Sequence, residues 1–290
     1  MKTSFPARAL AGFTLLLISL PTFAKPALWV VKNANATVYL FGTVHLLPND
    51  THWRNPMLDK AITDSGTLYI ELTDDNQANM MALVMRYGID TTHPLPSLLP
   101  HSEMLQLNAA AEKAGVPGGA QALSVMRPWL AALTLAAAPL LKAGLDPEQG
   151  VDKQLKVQMI AAGKNVLGLE TAEQQIRFLA QLPQDMQLAF LRSTLRDADK
   201  DAIELTQLID AWKNGDTATI ARLEDEDLRQ KEPMLYRRLI VERNQTWAGK
   251  IAAMMKQPGV IFIAIGAAHL AGPDSVQVQL KKLGVASVRE

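Results

Sequence analysis

Hydrophobic positions along this chain fall into two kinds of run. Short apolar stretches of roughly four to eight residues, bounded by Gly, Pro, Asn or Asp, predict strands. Leu28–Lys32 and Thr37–Thr43 flank Asn33-Ala34-Asn35 and predict a hairpin. Thr67–Leu72, Asn165–Leu169, Val260–Ile265 and Val285–Val288 predict further strands. Uninterrupted apolar runs such as VIFIAI suit strands covered on both faces, as in a mostly parallel sheet.

Longer segments with helical character lie between them. They predict helices over Pro56–Thr63, Asn76–Tyr87, Ser102–Ala114, Pro128–Lys142, Val151–Ala162 and Ala172–Leu182. Pro56 and Pro128 stand where a first helical turn tolerates proline. Gln184–Lys256 reads as a long helical stretch with breaks near Asp197–Asp199, Asn214-Gly215 and Pro233, its dense charges forming solvated surface. Thr91–Pro100 and Gly115–Gly119 read as connections. The expected fold is α/β: a mostly parallel central sheet assembled from both ends of the chain, with a large helical insertion at about 76–256.

Composition narrows the setting. The chain has 290 residues, 48% hydrophobic and 20% charged, which places it among globular proteins rather than disordered ones. Formal net charge is 0 and Lys and Arg do not cluster, so no electrostatic footprint for nucleic acid is present. Residues 1–24 form a separate object. Lys2 and Arg8 precede the apolar run Ala9–Leu20, then Pro21 and the small-residue site Thr22-Phe23-Ala24. This is the pattern of a cleavable secretory signal, with an uncleaved anchor as the second reading. Its removal takes two basic residues from balanced totals of 29 and 29, leaving residues 25–290 as one expected domain with a net charge of −2. No cysteine is present, which excludes disulfides, thiolate zinc sites and cysteine nucleophiles. The expected location is the periplasm, with secretion beyond it as an alternative and no stable membrane span after signal cleavage.

Candidate chemistry gathers where the apolar runs end. VYLF leads into Gly42-Thr43-Val44-His45, LYIEL carries Glu71, NVLGL leads into Glu170, and VIFIAI leads into Gly266-Ala267-Ala268-His269. Open α/β sheets bind ligands outside the carboxyl ends of their strands. Imidazole and carboxylate are the groups that bind divalent ions and move protons. The two Gly-x-x-His units suggest two half-sites brought together, with glycine allowing close backbone approach. Each residue also has a structural explanation. A histidine after a strand is more often packed or exposed than a ligand. Glu71 and Tyr69 could share a solvated face, and Glu170 could favour a helix dipole. Arg243-Asn244 could be a surface pair or an arginine clamp on a carboxylate. Capping explains Asp152 after Gly150-Val151. His52 could rim the site, while His93 and His101 read as surface residues.

Five segments together resemble the TraB/GumN family, which includes the Tiki proteases. They are YLFGTVHLLP (Tyr39–Pro48), LYIELTD (Leu68–Asp74), Gly150–Leu179 with GKNVLGLETAEQQIRFL, VERNQTWAGKI (Val241–Ile251) and FIAIGAAHLAGPDSV (Phe262–Val276). The resemblance spans nearly the whole chain after the signal, in order. It implies a metal-dependent hydrolase, a peptidase, with a peptide or protein substrate and an Mn, Co or Zn ion. It implies His45, Glu71 and His269 as metal ligands, with Glu71 also catalytic. Glu170, Arg243 and Asn244 match further motif positions as catalytic candidates. The architecture it implies is similar to erythromycin esterases and ChaN-like haem-associated proteins. Ala267-Ala268 within the second unit, and Ala271-Gly272-Pro273-Asp274 after it, are departures that remove no ligand. Two other readings stand beside it: a metal-independent, esterase-like hydrolase with histidine as the base, and a non-catalytic peptide- or haem-binding protein. No GxSxG elbow, Walker loop or dinucleotide fingerprint occurs in a suitable context.

Overall fold

A single sheet organises the residues that this computed structural model describes, 24–48, 51–197 and 201–290. Its strands are β1 (Leu28–Lys32), β2 (Ala36–Thr43), β3 (Thr67–Ile70), β4 (Asn165–Gly168), β5 (Gly259–Gly266) and β6 (Ser287–Arg289), in spatial order β4-β3-β5-β2-β1-β6. The four strands β4, β3, β5 and β2 run parallel, and β1 pairs antiparallel with both β2 and β6. The mixed α/β class and the parallel centre agree with the sequence expectation. The expected signal segment lies outside the described residues, apart from Ala24, and the expected break at Asp197–Asp199 runs into the undescribed stretch 198–200.

Alternation of side chains across the pleat divides the core into two layers. On one face Phe41, Leu68 and Phe262 pack with Trp53 and Trp212. On the other, Leu40, Ile263 and Ile265 pack with Trp247 and Leu280. With both faces of β2 and β5 covered, their sequences read as continuous apolar runs. The Trp212 indole also donates to the Gly42 carbonyl at 2.7 Å, tying a distant helix to the end of β2.

Several expectations need correction. β4 is an edge strand, not one covered on both faces, and Leu167 is 45% exposed. The neighbouring helices form cores of their own instead, one around Leu95, Leu107, Leu123 and Leu191, another around Leu83, Trp129 and Ile176. Within the largely helical excursion at 76–256, β4 returns the chain to the sheet at the place of the expected strand Asn165–Leu169. The last strand begins at Ser287 rather than Val285, since the Val285 N–H still bonds the Leu280 carbonyl in the closing turn of the preceding helix. The first expected connection contains a short helix at Leu95–Leu98, and the second leads into another at Gly119–Leu123. The charged stretch is not all solvated surface: Ala221–Glu226 forms a π-helical turn that buries Asp225, 2% exposed and without a hydrogen-bond partner for either carboxylate oxygen.

Candidate active site

Parallel pairing sends the carboxyl ends of β2, β3, β4 and β5 to the same edge of the sheet, so the residues that follow them meet there. In the β2–β5 register Gly42 faces Ile265 and Thr43 faces Gly266, which sets the two Gly-x-x-His units side by side. Neither glycine adopts a left-handed conformation. Both are needed for space. A Cβ on Gly42 would stand 3.0 Å from the Ala267 Cα, and one on Gly266 would stand 3.2 Å from Glu71 Oε1. That same point beside Gly266 lies 3.6 Å from His269 Cδ2 and 3.8 Å from His45 Nε2. Glu71 and the two histidines, far apart in sequence, thus border one small space.

Each ring is fixed through its Nδ1. His269 Nδ1 lies 2.7 Å from Asn244 Oδ1, and Asn244 is itself oriented because its Nδ2 donates to the Asp274 carbonyl. The Asn244 oxygen must accept, so His269 carries its proton on Nδ1 and keeps a lone pair on Nε2. His269 is 4% exposed and packed against Trp247, with ring centroids 4.5 Å apart and planes tilted by 56°. Burial holds its pKa down to about 3, so it is neutral. His45 Nδ1 lies 3.2 Å from Asp152 Oδ1, and its ring is 59% exposed. The hydrogen bond to Asp152 raises the His45 pKa above the ordinary value.

Glu71 is buried and fully engaged. Oε1 accepts from the Gly266 N–H at 2.7 Å, and Oε2 accepts from Arg243 Nη2 at 2.7 Å and Gln175 Nε2 at 3.0 Å. Burial alone would raise this carboxyl, but the Arg243 guanidinium leads the opposing effects and holds it at about 2. Arg243 Nε donates to both oxygens of Glu170 at 3.1 Å, Nη2 donates to Glu170 Oε2 at 3.0 Å, and Nη1 donates to His269 Nε2 at 3.1 Å. Burial pushes the Glu170 carboxyl up, against the pull of that guanidinium. The Trp247 ring lies 4.6 Å from the Arg243 guanidinium carbon.

A cavity of about 280 Å³ opens onto this cluster, lined by His45, Glu71, Leu72, Asp152, Lys153 and Gln175. Glu170 does not line it; that carboxylate borders a separate cavity of about 310 Å³ with Arg177, Phe178, Arg238 and Lys250. The surface-pair reading of Arg243-Asn244 is wrong, since they are 8% and 0% exposed. His52 is exposed and lines neither cavity, and His93 sits exposed beside Asp90. Asp152 does not cap its helix. The cap is Gly150, and Asp152 turns to His45. Gly150 lets that helix start approach the histidine segment: Val151 N–H bonds the Val44 carbonyl at 3.0 Å, and a Cβ on Gly150 would stand 2.7 Å from the His45 carbonyl oxygen. Gln175 was missed by sequence reasoning altogether. Both Asp152 and Gln175 lie inside motif blocks visible in the sequence, which was the available signal.

The donor chemistry suits a divalent ion. Two imidazoles, each oriented through Nδ1 by an oxygen acceptor, stand beside an ionised carboxylate, the outer-shell pattern of metal-binding histidines. Glu71, Glu170 and Asp152 face Arg243 and, in the ion-free protein at neutral pH, a His45 whose pKa the Asp152 hydrogen bond raises to about 9, leaving one negative charge in excess. The ligands are not preassembled: among the described residues no three His, Asp or Glu side chains are gathered closely enough to hold an ion. Arg243 reaches between Glu71 and His269.

The sequence model of the TraB/PrgY/gumN family matches residues 27–289. The chain is 27% identical over 262 residues to a protein of Escherichia coli K12 described as uncharacterized protein YbaP, covering 89% of this chain and 93% of that one. The protein of the same description from Shigella flexneri is equally similar. An uncharacterized protein of Treponema pallidum is 24% identical over 279 residues, covering 90% of this chain and 81% of that one. No solved structure matches.

Proposed function

The chain belongs to the TraB/PrgY/gumN family, and we propose that it is a hydrolase acting on peptide bonds with a divalent cation held by His45, Glu71 and His269. The observation that carries this reading is the convergence of two Nδ1-anchored imidazoles and one ionised carboxylate on a single point beside Gly266. The peptide substrate, the choice among Mn, Co and Zn, and kinship with the ChaN-like and erythromycin-esterase architecture follow from the family resemblance. We further propose that residues 25–290 act as one exported, periplasmic domain, a reading supported by the signal-like pattern of residues 1–24.

A bound ion would supply water ionised near neutral pH and would polarise the scissile carbonyl. The chain's own residues supply the rest. Asn244 holds His269 in the tautomer that presents Nε2, and Asp152 orients His45 through Nδ1, so that its Nε2 would be free to bind an ion once that nitrogen gives up its proton. The Gly266 N–H and Gln175 fix the Glu71 carboxylate from two sides, so it accepts a proton or a positive charge without first reorienting. Arg243 keeps a permanent positive charge at the edge of the site, where negative charge developing on a carbonyl oxygen is stabilised. Glu170 anchors that guanidinium through both of its oxygens. Asn244 is a positioning residue, since it reaches the reacting region only through His269.

One observation favours a second reading, a metal-independent hydrolase. His45 is exposed at the cavity and paired with Asp152, the arrangement of an oriented proton carrier. Hydrolysis of a peptide library by protein purified without chelator, with metal content measured alongside, separates the two. The first reading expects bound metal and turnover, with both lost in His45→Ala and His269→Ala and the circular dichroism unchanged. Normal metal content and turnover in both variants would remove it. Turnover that survives exhaustive chelation would establish the second.

Among the described residues no helix is long and apolar enough to cross a membrane.

A further inference from the structure

Arg243 splits its hydrogen bonds to side chains between two sets of partners, with one further bond from Nη1 to the Leu239 carbonyl at 3.4 Å. Three contacts go to Glu170: Nε to both carboxylate oxygens and Nη2 to Oε2. Two go to groups that the metal reading assigns as ligands, Nη2 to Glu71 Oε2 at 2.7 Å and Nη1 to His269 Nε2 at 3.1 Å. Guanidinium does not deprotonate in proteins, so it acts only as a donor. The imidazole Nε2 has one lone pair. It either accepts the Arg243 N–H or binds a cation, and cannot do both.

The surroundings allow a small retreat without loss of charge pairing. The Glu170 contacts survive if the two ligand contacts are released. The rings of Trp247 and Phe178, 4.6 and 5.9 Å from the guanidinium carbon, form an aromatic enclosure for the cation. Glu170 borders a separate cavity and serves as the place of retreat.

We propose that Arg243 is a displaceable internal cation: in the ion-free protein it occupies Glu71 and His269, and on divalent binding it gives up both and keeps Glu170 as its only carboxylate partner. The proposal builds on the metal reading above. Its consequence is that ion binding is a competition with a resident unit charge. The intrinsic affinity of the three ligands is masked by the arginine, and a monovalent ion gains too little to displace it.

The test is isothermal titration of Mn²⁺ into the full chain after removal of metal. The decisive variant is Arg243→Gln combined with Glu170→Gln. It removes one charge of each sign, so the net charge of the cluster is unchanged while the occupancy is abolished. It also leaves no unpaired carboxylate at Glu170 to prevent folding, and unfolding curves check whether it folds. The expected result is Mn²⁺ binding at least tenfold tighter than in the wild type, abolished again when His45→Ala is added. Equal or weaker binding in the folded double variant overturns the proposal and leaves the metal reading intact, provided that the wild type binds Mn²⁺ and His45→Ala does not. Absence of binding in the wild type and the double variant alike removes both. Binding in the double variant alone supports the proposal most strongly. If the double variant does not fold, Arg243→Lys, which keeps the charge but not the two-sided fork, takes its place, with tighter Mn²⁺ binding expected and unchanged or weaker binding contrary.

Discussion

Replacing Arg243 by Gln would leave two carboxylates buried side by side, since Glu71 Oε2 and Glu170 Oε2 both accept from the same Nη2, at 2.7 and 3.0 Å. Each carboxylate residue is 8% exposed, so water compensates little. The Glu71 carboxyl sits at about 2 against an ordinary 4.5, a difference that corresponds to about 3 kcal/mol. Breaking a buried ion pair from one side costs roughly 3–5 kcal/mol in other proteins, which agrees in scale. The pH dependence has a definite sign. In the wild type the folded pKa lies below the unfolded one. The stabilisation is therefore complete above about pH 5, and fades as pH falls from there through the folded pKa. In Arg243→Gln, burial is no longer opposed by the guanidinium, the Glu71 pKa rises above its unfolded value, and acid relieves the variant. Urea unfolding of metal-free protein at pH 7 and pH 4 measures both effects. The expected loss is about 3 kcal/mol at pH 7 and clearly less at pH 4, with Glu71→Gln added to Arg243→Gln recovering part of it. A loss under about 1 kcal/mol at pH 7, or one equal at both pH values, would refute the account of the cluster as a strongly coupled ion pair.

Asp152→Asn removes the main cause of the raised His45 pKa; in metal-free protein, the titration midpoint of His45 followed by NMR is expected to drop toward the ordinary 6.5, and an unchanged midpoint would show that Asp152 does not govern it. Gly42→Ala pushes a methyl to 3.0 Å from the Ala267 Cα, and is expected to destabilise by roughly 1–3 kcal/mol in thermal or urea unfolding. The same substitution at Gly66, where a Cβ would meet nothing within 4 Å, serves as the control. Asp225 is buried without a partner, and burial raises its carboxyl to about 7 from an ordinary 3.8. Its folded pKa lies above the unfolded one, so the wild type loses stability as pH rises through that range, and Asp225→Asn should gain on the order of 2 kcal/mol at pH 8 with little change at pH 3. No difference at pH 8 would mean that this carboxylate finds a compensating partner in solution.

Much of the frame was written locally. The apolar runs of β2 and β5 announce buried strands because both faces of a central parallel strand meet side chains, and the helix starts and stops follow from proline, glycine and polar caps at the ends of periodic segments. His45, Glu71, Glu170 and His269 were legible as candidates for the same reason. Each follows, within a few residues, a strand that the sequence itself marks. What no local pattern carries is which side chain touches which. That β4 lies at the edge, that Asp225 turns inward, and that Glu170 faces a different cavity from Glu71 all depend on packing among segments far apart in the chain. Asp152 looks like a helix cap until the approach of Gly150 to the His45 carbonyl aims it at the imidazole. Arg243 looks like a charge on a solvated helix until the fold closes two carboxylates, an imidazole and an indole around it. The sequence therefore determined the strands, their order of appearance and the residue types at their ends, because those depend on neighbours along the chain. Only the tertiary structure decided the charge pairing and tautomers of the cluster, because these depend on distances between groups that are from 25 to 172 residues apart in the chain.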